Sequence, residues 1–350
     1  MTPSLARLTF IGALGLMVAL LTAPADACGC GVVIPLDGDA NIAKEIALIR
    51  WEGGIEDIVM QLNVEGNSRE AAWILPVPAP ATVQLSDPKL FDTLDEFTKP
   101  IVKPIYQFQL PFTLGAGAAP SLAERSVTLI TRQTLGPFDV STLAASDANA
   151  LSDWLKTNGY AFPKGLADVL RPYVEESWFY VAVKLAPGNR DDQLAGALDP
   201  LWLTFRSDRI IYPMRPVALA PGDLPMLLYV LAEHRVSYPT DTRAFNASMT
   251  FADWIEPQLL EESSPLTPLV TRRSFLTKFE YHIFRPIDID YDFVFTFAAN
   301  DETYRDIQYE SVYEFAGVPN FIWVCCIAPL GLFFAIDFLR KRTRRAPAYT

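Results

Sequence analysis

Residues 46–64 read IALIRWEGGIEDIVMQLNV, and this stretch decides the fold class. Ile46–Arg50 and Ile55–Val64 are short apolar or alternating runs separated by Trp51-Glu52-Gly53-Gly54. Alternation at period two puts successive side chains on opposite faces of an extended chain, and adjacent glycines supply the positive φ that a tight turn requires. The stretch predicts a β-hairpin. Ala71–Pro78, AAWILPVP, predicts a third strand. Proline lacks the ladder donor, so Pro76, Pro78 and Pro80 put the far end of that strand at a sheet edge or beyond it.

Further along, Asp87 is a candidate N-cap with Pro88 in the first helical position. Leu90, Phe91, Leu94 and Phe97 then share one face of a helix to about Thr98, which Pro100 ends. Residues 100–127 carry prolines and a Gly/Ala-rich centre without sustained period and read as a loop or insertion, after which Ser126–Leu135 resumes as a strand. Asp147–Asn158 predicts a helix with Leu151, Trp154 and Leu155 inward and Gly159 as its C-cap, and Lys164–Arg171 a second short one. Strands return at Ser177–Leu185, Leu201–Phe205, Ile210–Ile211, Pro225–Ala232, Phe251–Glu256, Phe275–Ile283 and Tyr291–Phe297, with 257–270 a surface connector. The expected class is α+β, mainly antiparallel sheet with short helices, because no evenly spaced long helices are present to cover a doubly wound sheet.

Both ends carry apolar runs. Val318–Phe338, VPNFIWVCCIAPLGLFFAIDF, is followed by LRKRTRRAPAYT and reads as a transmembrane helix, since about 20 apolar residues cross a bilayer. The basic cluster Arg340, Lys341, Arg342, Arg344 and Arg345 would stay in the cytoplasm, leaving the large domain outside. Within the span, Pro329, Gly331, Cys325 and Cys326 would let another membrane helix approach closely. At the start, Arg7, the run Leu8–Leu21 and Ala25-Asp26-Ala27 have the form of a secretory signal, with an uncleaved N-terminal span as the alternative. The expected organisation is a signal peptide (1–27), an extracytoplasmic β-rich domain of one or two subdomains (28–300), a juxtamembrane segment (301–317), a span (318–338) and a basic tail (339–350). The protein would be single-pass in the cytoplasmic membrane, with lipid and an integral membrane protein as partners.

An ordered set of segments resembles a known family. CGCG at 28–31, Ala72–Pro78, Asn158-Gly159-Tyr160 with Pro163, Tyr173, Phe179–Leu185, Pro200–Phe205 and Tyr212-Pro213-Met214-Arg215 together are similar to the bacterial exported proteins of the DUF2330 family, over roughly residues 28 to 300. The resemblance implies a signal-led, cysteine-started ectodomain with a C-terminal membrane segment. It brings no catalytic or ligand residues.

The chain has 41 acidic and 29 basic residues, a formal net charge of -12, which disfavours nucleic acid and favours basic or cationic partners. Asp288, Asp290 and Asp292 alternate with Ile289, Tyr291 and Phe293, so on a strand they would share one face. Such a row is compatible with a calcium ion or with a solvated acidic face. Cys28 and Cys30 are terminal thiols for which a Cys-x-Cys bridge is strained, and a zinc site would lack its second half. His234 and His282 have no local ligand spacing, while Arg206, Arg209 and Arg215 are open to ion pairing or to receiving an anion. No phosphate loop, dinucleotide fingerprint, Gly-x-Ser-x-Gly or His-Glu-x-x-His occurs. The expected function is a membrane-anchored accessory or interaction protein. The alternative is a metal-dependent hydrolase outside the cytoplasmic membrane using Asp288, Asp290, Asp292 and His282. No cofactor other than calcium is expected.

Overall fold

The computed structural model describes residues 31–106, 139–144, 148–185, 194–238, 243–312, 314–315, 318–319, 326 and 328–343. Strands β1 to β20 and helices α1 to α4 are numbered along these residues. The chain divides into two compact units, Met1–Lys99 with Thr131–Arg305, and Pro100–Ile130 with Asp306–Thr350.

The hairpin organises the first unit. β2 (Ala40–Glu52) and β3 (Ile55–Gly66) pair antiparallel down to Glu52 opposite Ile55, and Gly53 and Gly54 fill the two-residue turn at φ of 59° and 81°. Outward from β2 lie β12 (Leu224–Ala232), β15 (Ser274–Ile283), β14 (Phe245–Ile255) and β17 (Tyr304–Arg305). Outward from β3 lie β10 (Leu201–Arg206) and β5 (Thr82–Leu85), with β9 (Gly196–Ala197) against the far end of β3. β12 joins β2 in parallel, Met226 opposite Glu45 through Leu231 opposite Arg50, while the other pairings of this sheet are antiparallel, in keeping with the mainly antiparallel sheet expected.

A second, antiparallel sheet has the order β1 (Val32–Pro35), β4 (Ala71–Val77), β8 (Phe179–Leu185), β7 (Asp139–Ala144). The register of β1 reaches only Ile74, whereas Pro76 lies opposite Tyr180 of β8. On its other side Pro76 therefore has no ladder to break. A small third sheet joins β11 (Ile210–Tyr212), β16 (Phe293–Phe297) and β13 (Val236–Ser237).

Trp73, Tyr180, Leu203, Phe279 and Phe293 from all three sheets, and Leu155, Leu170 and Tyr173 from the helices α2 (Ala148–Thr157) and α3 (Leu166–Glu175), form one main core. A second core lies on the other face of the large sheet. There Leu48, Val59, Tyr229 and Leu231 receive Leu90, Phe91 and Leu94 of α1 (Leu90–Phe97) and Leu266, Leu269 and Val270 of the connector. Each such fully buried side chain contributes about 1.5–3 kcal/mol. A β-bulge between Met249 and Phe251 switches β14 from one core to the other: Met249 packs on the main core and Phe251 belongs to the second.

In the second unit β6 (Ile101–Tyr106) pairs in parallel with β18 (Ile307–Val312), which lies in the stretch read as juxtamembrane. β19 (Glu314–Phe315) pairs with β20 (Val318–Pro319), and α4 spans Ala328–Thr343.

The C-terminal reading is corrected. Among the described residues no helix is long and apolar enough to cross a membrane. Val318 and Pro319 are strand, and α4 has 16 residues, about 24 Å, of which the last include Arg340, Lys341 and Arg342. A hydrocarbon core of roughly 30 Å exceeds this. The transmembrane helix in the expected fold class, the single-pass localisation with its orientation, the lipid and membrane-protein partners, and the membrane-anchored accessory function are all overturned by that length. Pro329 stands in the first turn of α4, where its missing donor costs nothing, and Gly331 has open space beside it. Cys326 is exposed and free. The segments 1–27 and Ser126–Leu135, together with Cys28, Cys30 and Cys325, lie outside the described residues.

Candidate functional site

Two faces of α1 do different work. Leu90, Phe91 and Leu94 point into the second core, while Lys89, Asp92, Thr93, Glu96 and Phe97, recurring at three- and four-residue spacing, form one wall of a groove of about 540 Å³. The opposite wall is connector chain between Leu259 and Leu266. Its shape follows from successive turns: the Leu259 amide donates to Glu256 O at 3.0 Å, Ser264 to Glu261 O at 2.9 Å and Thr267 to Ser264 O at 3.0 Å. Leu266, Leu269 and Val270 pin these turns to the sheet.

Apolar surface from Phe97, Leu259, Leu260, Pro265 and Leu266 lines the groove beside three carboxylates, Asp92, Glu96 and Glu261, and one ammonium, Lys89. Glu96 pairs with Lys99, whereas Asp92 and Glu261 carry no ion pair among the described residues. Thr93 donates its hydroxyl to Lys89 O at 2.9 Å. The lining contains no histidine or cysteine, so Ser263 and Ser264 have no imidazole or thiolate beside them. Chemically the groove is suited to a cation flanked by hydrocarbon.

Beneath α1 the cations serve the fold. Lys278 Nζ lies 3.3 Å from Asp95 Oδ1 and 5.6 Å from the centre of the Tyr229 ring. Burial pushes the Tyr229 phenol up, against the opposing effect of the Thr98 hydroxyl. Arg305 stacks over Phe251 at 4.8 Å and donates to Phe97 O at 3.1 Å, where the carbonyl end of the helix attracts positive charge.

Elsewhere the structure separates the three aspartates. Pro286–Asp288 is a 3-10 turn and β16 begins only at Phe293, so the acids share no strand face. Asp288 pairs with Arg285 at 2.7 Å, and Asp290 offers its backbone carbonyl to Arg215 Nε at 3.1 Å. The Asp292 carboxylate is withdrawn from solvent, accepting from Tyr173 Oη at 2.5 Å, from the Met214 and Arg215 amides at 2.8 and 3.2 Å, and from Arg215 Nη1 at 2.6 Å. A carboxylate so occupied has little left for a metal. Among the described residues no group of three or more His, Cys, Asp or Glu could hold one. The metal-dependent hydrolase reading is corrected accordingly.

Residues 24–296 match a family described as "Uncharacterized protein conserved in bacteria (DUF2330)". The chain belongs to the DUF2330 family. No curated protein matches it. Among solved structures, baculovirus P35 is 10% identical over 76% of this chain and 100% of its own, with a TM-score of 0.38. A mutated baculovirus P35 after caspase cleavage is 8% identical over 74% and 98%, with a TM-score of 0.31. At these scores neither likeness carries an argument about the DUF2330 chain.

The two histidines of this DUF2330 protein are not part of the groove lining: His234 Nδ1 is 2.8 Å from Asp301 Oδ2, which raises the imidazole pKa, and His282 Nε2 is 3.3 Å from Asp223 Oδ2. Arg209 pairs with Glu176 at 3.6 Å and Arg206 is exposed, so with Arg215 committed to Asp292 the three arginines form no receptor. Trp202 and Thr204 both donate to Asp57 Oδ1, at 2.8 and 2.5 Å, and Arg50 to Oδ2 at 2.7 Å. The groove went unread in the sequence because its walls are α1 and a connector far along the chain. The one available signal was the polar face of the expected helix.

Proposed function

We propose that this DUF2330 protein is a binding protein whose groove between α1 and the connector holds an extended peptide segment carrying lysine or arginine beside apolar side chains. One observation carries the reading: Asp92, Glu96 and Glu261 stand around an apolar lining in a groove of about 540 Å³, and Asp92 and Glu261 carry no ion pair among the described residues. Charge-assisted hydrogen bonds from an ammonium or guanidinium would satisfy them while hydrocarbon covers Leu259 and Leu260. The eight residues of α1 extend for about 12 Å, the reach of roughly four extended residues. The net charge of -12 favours the approach of such a segment.

The test is fluorescence anisotropy of the full chain with a labelled Lys-Leu-Lys-Leu-Lys peptide and its Glu-Leu-Glu-Leu-Glu counterpart. The lysine peptide should bind, and the double substitution Asp92→Asn with Glu261→Gln should weaken it by about tenfold or more, as loss of two charge-assisted contacts requires. Equal binding of both peptides, or unchanged affinity in the double variant, would overturn the proposal.

A further inference from the structure

A second hollow, partly open to solvent, lies between α2, α3 and β8, with a volume of about 210 Å³. Leu151 comes from α2, Ala167, Leu170 and Val174 recur along one face of α3, and Tyr180 comes from β8. An apolar cavity of about 150 Å³ is enough to hold benzene, so this one has room for an aromatic ring with a short substituent. Its wall is hydrocarbon except at Tyr180 and Arg171.

Those two groups set the chemistry. The Tyr180 phenol is pushed up to about 12 by burial and so stays a neutral donor, and its bond to Leu170 O is long, at 3.4 Å. Arg171 is engaged on the described residues with Asp168, one turn away on α3, in a pair exposed on both sides. Such a pair is screened by water and contributes little, and a guanidinium has five donors, so it can also receive a carboxylate. Phe162 borders the same space and is 37% exposed, a large apolar ring partly turned to water beside an apolar void.

We infer that this cavity binds a small aromatic monocarboxylate, its ring against Leu151, Leu170 and Val174 and its carboxylate toward Arg171. The site is separate from the groove and does not rest on the peptide reading. Isothermal titration of the full chain would compare phenylacetate with toluene, which has the ring and lacks the charge. Phenylacetate should bind the native protein more tightly than toluene. Arg171→Gln, a change at an exposed position, should weaken phenylacetate by about tenfold or more and leave toluene unaltered. Ala167→Phe, which fills the space, should abolish both, with circular dichroism confirming the fold; if that variant fails to fold, Arg171→Gln alone decides. Absence of phenylacetate binding, equal affinity for toluene, or unchanged binding in Arg171→Gln would each overturn the inference.

Discussion

Arg215 Nη1 donates to Asp292 Oδ2 at 2.6 Å with the two side chains 22% and 5% exposed, and Tyr173 Oη meets the other carboxylate oxygen from α3. One carboxylate therefore ties together α3, the Met214–Arg215 turn and the entry to β16. Four donors already occupy it, three on Oδ1 and one on Oδ2, so an acid in an alternating row became a structural joint with little left for an ion.

Removing that carboxylate should be severe. Asp292→Ala removes the carboxylate that Arg215 Nη1, two backbone amides and the Tyr173 hydroxyl share, and breaking a withdrawn ion pair of this kind costs about 3 kcal/mol or more. Asp168→Ala, at the exposed partner of Arg171, should leave the transition unchanged. Urea unfolding of the two variants would check the contrast, and similar midpoints would contradict it.

Glu56 gives a pH prediction. Its side chain is fully buried and accepts only from the Ile211 amide, at 3.2 and 3.3 Å, and from Ser207; desolvation raises its pKa well above 4.5. Above 4.5 the unfolded chain releases this proton while the folded chain retains it, so the unfolded state binds fewer protons and stability falls as pH rises toward the folded pKa. Glu56→Gln keeps an oxygen acceptor without the ionisation. Its stability relative to the native chain should be flat below pH 4.5 and should improve steadily above it, measured by thermal melts across pH. A difference independent of pH would refute the assignment.

At the end of α3, Ser177 holds φ of 60° while the Trp178 amide donates to Tyr173 O at 2.9 Å. This is the left-handed closure that glycine adopts without a Cβ penalty. Ser177→Gly should raise stability by about 0.5–1 kcal/mol, after the larger unfolded-state entropy of glycine is offset. Gly66→Ala should do the reverse by at least about 2 kcal/mol, since a Cβ there would sit 2.1 Å from Asp39 O. A lower melting temperature in Ser177→Gly, or an unchanged or higher one in Gly66→Ala, would each refute its prediction.

The fold was legible where one local period dominates. Ile46–Val64 carries alternation on both sides of a two-glycine turn, and the hairpin is there, although β2 starts at Ala40, six residues before the expected run, and takes in Trp51 and Glu52. Asp87 does receive the Lys89 amide, at 2.8 Å, although the helix starts at Leu90, beyond Pro88. Period failed where a proline intervened: the alternation from Asp288 to Asp292 begins inside the turn set by Pro286, so equal spacing did not mean a shared face. Hydropathy failed at Val318–Phe338 because composition counts apolar residues without asking where strand ends and helix starts. The groove required knowing that Leu266, Leu269 and Val270 fold back onto the sheet beside α1, a long-range contact that no local pattern encodes.

Lys278 offers a way to separate the groove from its support. Its side chain is 8% exposed and its partner Asp95 64%, so the lysine bears most of the desolvation while the aspartate remains hydrated. Replacing the buried cation by a flexible apolar chain of similar length removes that cost and keeps the packing over Tyr229; Lys278→Met should therefore lie within about 1 kcal/mol of the native protein or above it. Asp95→Ala leaves the buried ammonium unpaired and should lose roughly 1 kcal/mol, moderated by water at the exposed end. Neither residue lines the groove, so binding of the lysine peptide should survive in Lys278→Met. Chemical denaturation that placed Lys278→Met well below Asp95→Ala would show that the ion pair holds α1 in place, and a parallel loss of peptide binding in a folded Lys278→Met would move the recognition site beneath the helix.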